Sequence, residues 1–254
     1  MSDAIEHEIP QTADNSNKTE LIGRESDVVP GRFGEPLQVT HVQYSRGGGN
    51  TAPKRPLFLC LHGWGSNEHD LPGLLDYCAP GADYASLRAP ISYGPGYTWF
   101  GSWDYEGVPT GESLDRQSRQ AGEAIDAWVA DSIAPERPIV VMGFSQGGLL
   151  AGEMLRVNPK RYAAAVSFSG FLAHGELPGD DELARLKPPM FYGHGSADDI
   201  FPKSELDAMS AFYASHTTLT EKIYPGMTHS INMPELRDVA AFLEHNGFVR
   251  PRLW

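Results

Sequence analysis

Residues 143–147 read Gly-Phe-Ser-Gln-Gly, so a glycine stands on each side of a potential nucleophile. The residues before them, 138–142, form a solid apolar run, and an apolar helical pattern begins just after Gly147. A buried strand, a tight turn and a helix are the setting that a nucleophile elbow requires. Such a turn strains the serine backbone and leaves no room for a side chain at Gly143 or Gly147. The pattern therefore predicts that Ser145 is a nucleophile above the edge of a sheet.

The helix that follows this turn indicates where negative charge can be stabilised. The unpaired N–H groups and the dipole at a helix N-terminus favour an anion. The backbone N–H of Gln146 is therefore a candidate donor to an oxyanion. The alternative interpretation is a glycine-rich β–α turn with an incidental serine.

A serine hydroxyl needs a general base, and the base needs an acid that orients it. In this kind of fold the acid and then the histidine follow the serine along the chain. Asp198 and Asp199 lie in a glycine-rich turn after the apolar residues 190–192, and His229 follows the last predicted strand. Turn formation is the alternative role for the aspartates, and position alone leaves both open as the acid. The order predicts a triad of Ser145, one aspartate and His229.

Short apolar strands and helical stretches alternate from residue 36 onward. Strands are predicted at residues 37–44, 57–61, 84–87, 138–142, 163–168, 190–192 and 219–224. Helices are predicted around residues 114–129, 149–155, 206–213 and 236–243. The alternation predicts an α/β fold with a mainly parallel central sheet and helices on both faces. The spacing of the later strands leaves no insertion that could build a large lid domain.

Length and composition predict one globular domain preceded by a polar segment. The chain has 254 residues, of which 41% are hydrophobic, enough for one sizeable core. Residues 1–34 are polar and aperiodic, so a flexible tail is predicted there and one α/β domain over residues 35–254. A formal net charge of -13 argues against nucleic acid and against stable association with an anionic membrane. The expected partner is a small-molecule ester, and a homodimer is left open.

The sequence predicts no targeting segment and no bound metal or cofactor. No apolar run approaches the roughly 20 residues of a membrane span, and the first residues are acidic, so a cytoplasmic location is expected. Cys60 and Cys78 are too few for a disulfide framework, and whether they pair is left open. His62, Glu68 and His69 match no metal-ligand spacing, so no metal and no other cofactor is expected.

Residues 89–107 are rich in aromatic side chains. The stretch contains Tyr93, Tyr97, Trp99, Phe100, Trp103 and Tyr105. One interpretation is a wall of an apolar acyl or alcohol pocket, with Tyr97, Trp99, Phe100 and Trp103 touching the substrate. The other is a satellite core that covers a loop.

Four segments resemble the phospholipase/carboxylesterase family of α/β-hydrolases, which includes acyl-protein thioesterases and bacterial carboxylesterases. They are Leu-His-Gly-Trp-Gly at 61–65, Gly-Phe-Ser-Gln-Gly-Gly at 143–148, His-Gly-Ser-Ala-Asp-Asp-Ile-Phe-Pro at 194–202 and Gly-Met-Thr-His-Ser at 226–230. The resemblance extends over residues 56–245. It implies the α/β-hydrolase fold, with no cofactor.

The resemblance also implies roles for particular residues. It selects Asp198 over Asp199 as the acid of the triad. It places the second oxyanion N–H on Trp64, directly after His62 and a glycine. His62 and His194 are then residues that shape loops.

The resemblance implies a function as well. Residues 93–104 resemble the bacterial carboxylesterase branch more than the thioesterase branch. The expected enzyme is a serine carboxylesterase that hydrolyses small to medium acyl esters through an acyl-enzyme intermediate. The alternatives are an acyl-protein thioesterase or lysophospholipase-like activity, and a non-catalytic α/β-hydrolase that binds a ligand.

Overall fold

The computed structural model describes residues 37–49, 54–101 and 111–250. The strands are β1 (Val42–Tyr44), β2 (Leu57–Leu61), β3 (Asp83–Leu87), β4 (Ile91–Tyr93), β5 (Gly96–Thr98), β6 (Ile139–Phe144), β7 (Ala164–Phe168), β8 (Pro189–Gly195) and β9 (Thr218–Tyr224). The helices are α1 (Pro72–Cys78), α2 (Glu112–Ser132), α3 (Gln146–Val157), α4 (Asp180–Leu186), α5 (Lys203–His216) and α6 (Met233–His245).

Seven of the strands form one twisted layer in the order β1-β3-β2-β6-β7-β8-β9. β1 pairs antiparallel with β3, and every other neighbouring pair in this sheet is parallel. The central strands β2 and β7 are buried along their whole length, as expected for parallel strands with both faces covered. The predicted mainly parallel sheet is confirmed.

Hydrophobic layers cover both faces of the sheet. Alternate residues of β2 point to opposite sides, so Leu57 and Leu59 join one layer while Phe58 and Cys60 join the other. The first layer packs against α2, α3 and α5, and the second against α1 and α6. The apolar stripe of α2 confirms its predicted core face, with Leu114, Ala121, Ile125 and Val129 all buried.

The parallel arrangement brings the carboxyl ends of β2, β6, β8 and β9 to one edge of the sheet. The loops that leave those ends contain Trp64, Ser145, Asp198 and His229. Ligands in open α/β sheets bind at this edge. The fold therefore brings the candidate residues to the same side of the molecule.

Several elements differ from the sequence predictions. The first strand covers only Val42–Tyr44, since its partner β3 ends at Leu87 and leaves residues 37–41 with no further ladder to join. The aromatic stretch contains a hairpin, in which β4 and β5 join around Gly94. The short helices α1 and α4 were not predicted, because seven residues show too little of a helical period.

Some predictions fall outside the described residues. The tail predicted at residues 1–34 lies there, and so do Trp103 and Tyr105. In the ranges that are described, no helix combines the length and the apolar character needed to cross a membrane. Cys60 and Cys78 are both buried, and no disulfide joins them.

Candidate active site

Ser145 sits at the tight turn between β6 and α3. Its backbone adopts φ 56° and ψ −114°, a conformation that residues with a side chain seldom take. A Cβ atom at Gly143 would lie 1.9 Å from the carbonyl oxygen of Gly147, so the turn closes only with glycine there. The backbone N–H of Ser145 donates to the carbonyl of Phe168 at 2.9 Å and fixes the turn to β7. These are the features of a nucleophile elbow.

The loop after β2 lies directly against this elbow. A Cβ atom at Gly63 would stand 3.5 Å from Cβ of Ser145, and one at Gly147 would stand 1.9 Å from the carbonyl oxygen of Leu61. Gly147 therefore permits a backbone approach that a side chain would prevent, and Gly63 lies in van der Waals range of Ser145. Trp64 follows Gly63, so its backbone belongs to the loop that faces Ser145.

His229 and Asp198 meet beside the elbow. His229 Nδ1 lies 2.8 Å from Asp198 Oδ2, and the Asp198 side chain is fully buried. The imidazole packs 4.9 Å, centroid to centroid, from the ring of Phe144, the residue before Ser145. The ring of Phe201 meets it edge-on, with the ring centroids 5.4 Å apart. The histidine is thus held between the carboxylate and the end of β6.

The carboxylate of Asp198 is ionised at neutral pH. Burial by itself would raise the pKa of Asp198, but the hydrogen bond and the charge of His229 lower it by more. The backbone N–H of Ile200, which donates to Oδ1 at 3.1 Å, acts in the same direction. The net result is a pKa below the ordinary value for aspartate. The neighbouring Asp199 is exposed.

His62 shapes the loop after β2, which contains Trp64 and lies against Ser145. Its Nε2 accepts a hydrogen bond from the backbone N–H of Ala89 at 3.1 Å, so Nδ1 carries the proton and donates to the carbonyl of Gly63 at 2.7 Å. Burial lowers the pKa of this imidazole, which favours the neutral form that this pattern requires. These contacts support the structural role that the resemblance implied for His62.

An ion pair between Arg88 and Glu68 also holds the loop after β2. Arg88 binds both carboxylate oxygens of Glu68, with Nε 2.7 Å from Oε2, and its guanidinium stacks 4.6 Å above the ring of Tyr97. The hydrogen bonds from Arg88 lower the pKa of Glu68 to about 2. Sequence reasoning missed this pair, because 20 residues separate its members and no local pattern links them.

The predicted substrate residues do not share one environment. Trp99 and Phe100 are both 0% exposed and belong to the core beneath the site, where they form no open wall. Tyr97 is half-buried under Arg88. Trp99 and Phe100 belong to the same hydrophobic layer as Leu57 and Leu59, and the indole N–H of Trp99 donates to the carbonyl of His62. The exposed aromatic residues near Ser145 are different ones.

Trp64 and Tyr93 form an aromatic pair at the surface beside the elbow. Trp64 is 42% exposed and Tyr93 is 47% exposed, and their ring centroids lie 4.6 Å apart. We refer to these two rings as the aromatic shelf. The β4–β5 hairpin carries Tyr93 to the loop that contains Trp64. The sequence analysis included Tyr93 in the aromatic stretch that could form a pocket wall, but it did not predict the pairing of Tyr93 with Trp64.

A separate cavity lies at the opposite edge of the sheet. It has a volume of about 880 Å³ and opens between the amino ends of β2 and β3 and the end of α6. Its walls combine apolar side chains with arginines, Asp83 and Glu244, and include neither serine nor histidine. It lies away from the elbow, because the length of the parallel strands separates their amino ends from their carboxyl ends. In the parts of the chain described here, no cluster of three or more His, Cys, Asp and Glu could hold a metal ion.

The parallel sheet, the strained serine turn and the buried aspartate–histidine pair together define an α/β-hydrolase. The sequence pattern of the phospholipase/carboxylesterase family matches residues 49–246, so the chain belongs to that family. It is accordingly an enzyme of the serine-hydrolase class.

Individual relatives agree with this membership. Acyl-protein thioesterase 1 of Eremothecium gossypii is 29% identical over 211 residues, which cover 76% of this chain and 89% of that protein. The crystal structure of esterase PE8 is similar with a TM-score of 0.66 and 25% identity, covering 82% of this chain and 99% of its own. The Bacillus cereus carboxylesterase gives a TM-score of 0.66 at 20% identity, with 81% and 93% covered, and supports the fold alone.

Proposed function

We propose that this protein is a serine carboxylesterase that hydrolyses small to medium acyl esters through an acyl-enzyme intermediate. Ser145 is the nucleophile, His229 the general base and Asp198 the acid that orients the histidine. The observation that carries the proposal is the 2.8 Å contact between His229 and the buried Asp198, with the imidazole packed against the residue before the strained Ser145.

Acylation begins when the Ser145 hydroxyl attacks the ester carbonyl. The ionised Asp198 keeps the proton of His229 on Nδ1, so Nε2 presents the lone pair that accepts the serine proton. As the imidazolium forms, the buried carboxylate stabilises its charge. The imidazolium then gives the proton to the departing alcohol, and the acyl group remains on Oγ of Ser145.

The oxyanion of each tetrahedral intermediate needs donors that are already in place. We assign this role to the backbone N–H groups of Gln146, at the start of α3, and of Trp64, in the adjacent loop. The loss of one such donor typically reduces kcat by roughly 10²–10³-fold. Water, deprotonated by His229, then attacks the acyl-enzyme and releases the carboxylic acid.

The aromatic shelf is the proposed contact for the apolar part of the substrate. Trp64 and Tyr93 offer exposed rings, and Trp64 belongs to the loop that lies against Ser145. Ring faces bind acyl or alcohol chains by burying apolar surface. An open shelf rather than a deep tunnel favours short, soluble esters over long acyl chains. Within the described residues no helical insertion covers it.

Thioester hydrolysis is the second candidate. The observation that favours it is the likeness to a protein named acyl-protein thioesterase 1, which extends over 89% of that protein. The same serine, histidine and oxyanion donors would act on a thioester carbonyl. The two candidates therefore differ in the substrate and share the chemistry.

A substrate panel tests the proposal. Acetate, butyrate, octanoate and palmitate esters of p-nitrophenol, and the matching acyl thioesters, are assayed with wild type, Ser145→Ala and the exposed-serine control Ser204→Ala. We expect the highest kcat/KM on short and medium oxygen esters, loss of activity and of fluorophosphonate labelling in Ser145→Ala, and no change in Ser204→Ala. Activity rising steadily towards palmitate would contradict the chain-length proposal. A consistent preference for the thioesters would support the second candidate.

A further inference from the structure

The side chain of Gln146 is fully buried and is bound by a single segment, residues 98–100. Its Oε1 accepts a hydrogen bond from the backbone N–H of Trp99 at 3.2 Å and one at 2.9 Å from the Thr98 hydroxyl, whose proton is shared with the carbonyl of Phe100 at 2.7 Å. Its Nε2 donates to the carbonyl of Phe100 at 2.8 Å. A buried amide that makes all three bonds fixes this segment to the start of α3.

The same segment holds the loop that carries Trp64. The indole N–H of Trp99 donates to the carbonyl of His62 at 2.9 Å, two residues before Trp64. The two rings of Trp99 and His62 lie 5.5 Å apart, centroid to centroid, and both are fully buried. The position of the His62 backbone is therefore set by Trp99.

The far side of the loop is held in the same way. The backbone N–H of Gly65 donates to the carbonyl of Tyr97, and the N–H of Tyr97 donates to the carbonyl of Ser66, each at 2.9 Å. Trp64 thus lies between two points that residues 97–99 fix. The segment that binds Gln146 and the segment that holds the loop are continuous.

We propose that the side chain of Gln146 is a positioning residue for the oxyanion hole, a role that rests on the proposed acyl-transfer function and extends it. The backbone N–H of Gln146 is one donor. Its side chain fixes, through residues 98–100, the loop that supplies the other donor at Trp64. The two donors consequently belong to one hydrogen-bonded unit, so their spacing is set before substrate arrives. A displacement of such groups by about 1 Å costs roughly 10²-fold in rate.

The primary test is Gln146→Met. Methionine keeps the backbone N–H and the length of the side chain but removes all three hydrogen bonds. We measure kcat and KM on p-nitrophenyl butyrate, per active site counted with a fluorophosphonate label. The expected result is a fall in kcat of about 30–100-fold with KM changed by less than about threefold. Binding of a trifluoromethyl ketone, which forms a tetrahedral adduct, weakens in parallel with kcat/KM.

A second variant tests the connection between residues 98–100 and the Trp64 loop at the Trp99 hydrogen bond. Trp99→Phe keeps a buried aromatic ring near His62 and removes the N–H that bonds its carbonyl, together with part of the indole volume. It is expected to lower kcat by about tenfold. If both changes act through the same loop, the loss in the double variant is smaller than the product of the two single losses. Losses that multiply would mean that the two residues act independently, which contradicts the proposed unit.

A matched control separates positioning from stability. The buried Tyr162 donates its hydroxyl proton to Asp126 at 2.7 Å, and it precedes β7 at the amino edge of the sheet. Tyr162→Phe therefore loses a buried hydrogen bond away from the site. It is expected to lower the Tm and to leave kcat per labelled site unchanged.

The outcomes distinguish failure of the proposed acyl transfer from failure of the positioning role of Gln146. Full activity in Ser145→Ala would overturn the proposed acyl transfer itself. A dependence on Ser145 together with a kcat per labelled site in Gln146→Met within about threefold of wild type would overturn only the positioning role. A parallel loss of kcat and of trifluoromethyl ketone binding supports it.

Discussion

His229 and Asp198 lie 2.8 Å apart, Nδ1 to Oδ2, although 31 residues separate them in the chain. The carboxylate is fully buried while the imidazole is 17% exposed, so the proposed acid is covered and the proposed base remains accessible. Because the pKa of Asp198 is held below its usual value, the carboxylate accepts the Nδ1 proton at neutral pH. This contact fixes both the orientation and the tautomer of the imidazole.

Asp198→Asn is expected to lower kcat by roughly 10³–10⁴-fold, because an amide favours the tautomer with the proton on Nε2 and so removes the base. The measurement is kcat on p-nitrophenyl butyrate at neutral pH. Asp199→Asn is the matched control, since Asp199 is adjacent and exposed, and its activity should stay within about twofold of wild type. The reverse result would transfer the role of the acid to Asp199.

Gly143→Ala tests the geometry of the elbow. The new methyl group would lie 1.9 Å from the carbonyl oxygen of Gly147, so the strained turn must open. We expect a loss of about 1–3 kcal/mol in the free energy of unfolding and little remaining activity. Gly73→Ala is the control, because nothing lies within 4 Å of a Cβ atom at that helical position. Equal effects of the two changes on urea unfolding would contradict the steric explanation.

The nucleophile elbow is the part of the site that the sequence predicted well. Gly143 and Gly147 flank Ser145 next to a solid apolar strand, and this local pattern predicted the turn that the structure contains. The order of the later loops likewise placed an aspartate and His229 at the same sheet edge. These features were predictable because parallel strands bring distant loop residues together by topology alone.

The surroundings of the elbow were not predictable in the same way. Trp99 and Tyr93 lie only six positions apart in one aromatic stretch, yet one is fully buried and the other is half exposed. The difference in burial arises from the β4–β5 hairpin and from the hydrogen bond between Trp99 and the carbonyl of His62. Neither feature can be predicted from the local spacing of apolar residues. The buried amide of Gln146 was missed for the same reason, since its partners lie 46–48 residues away.

Tyr93→Ala tests the aromatic shelf. Removal of the ring takes away apolar surface that a medium acyl chain would cover and an acetyl group would not reach. The KM for the octanoate ester is expected to rise about tenfold, in line with partial exposure of an aromatic contact, while the KM for acetate stays within about twofold. The control is Tyr77→Ala, an exposed tyrosine on α1. An equal rise in KM for both esters would argue against a chain-specific contact.

Glu235 is a buried carboxyl group in the first turn of α6, six residues after His229. A Cβ atom at Gly193 would lie 2.1 Å from its Oε1, so β8 passes directly over the side chain. Burial, with a smaller contribution from the charge of Asp238, raises the pKa of Glu235 to about 8. An unfolded glutamate titrates near 4.3, roughly, so the folded protein holds this proton over a wide range of pH.

The sign of the pH dependence follows from this difference. Between about pH 4 and pH 8 the folded state keeps a proton that the unfolded state has lost, so the free energy of unfolding decreases as the pH rises through that window. The contribution of Glu235 to stability is complete below about pH 4 and is lost above about pH 8. Glu235→Gln keeps the shape of the protonated acid and removes the titration.

We therefore expect the Tm of Glu235→Gln to exceed that of wild type by roughly 10 °C or more at about pH 9, with the gap narrowing as the pH falls towards 5. Differential scanning calorimetry of both proteins across this range measures the gap. Glu244→Gln, an exposed position on the same helix, should follow wild type at every pH. The burial of Glu153, which raises its pKa to about 7, affects both proteins equally and cancels in the difference. A gap that stays constant with pH would show that Glu235 does not titrate in this window.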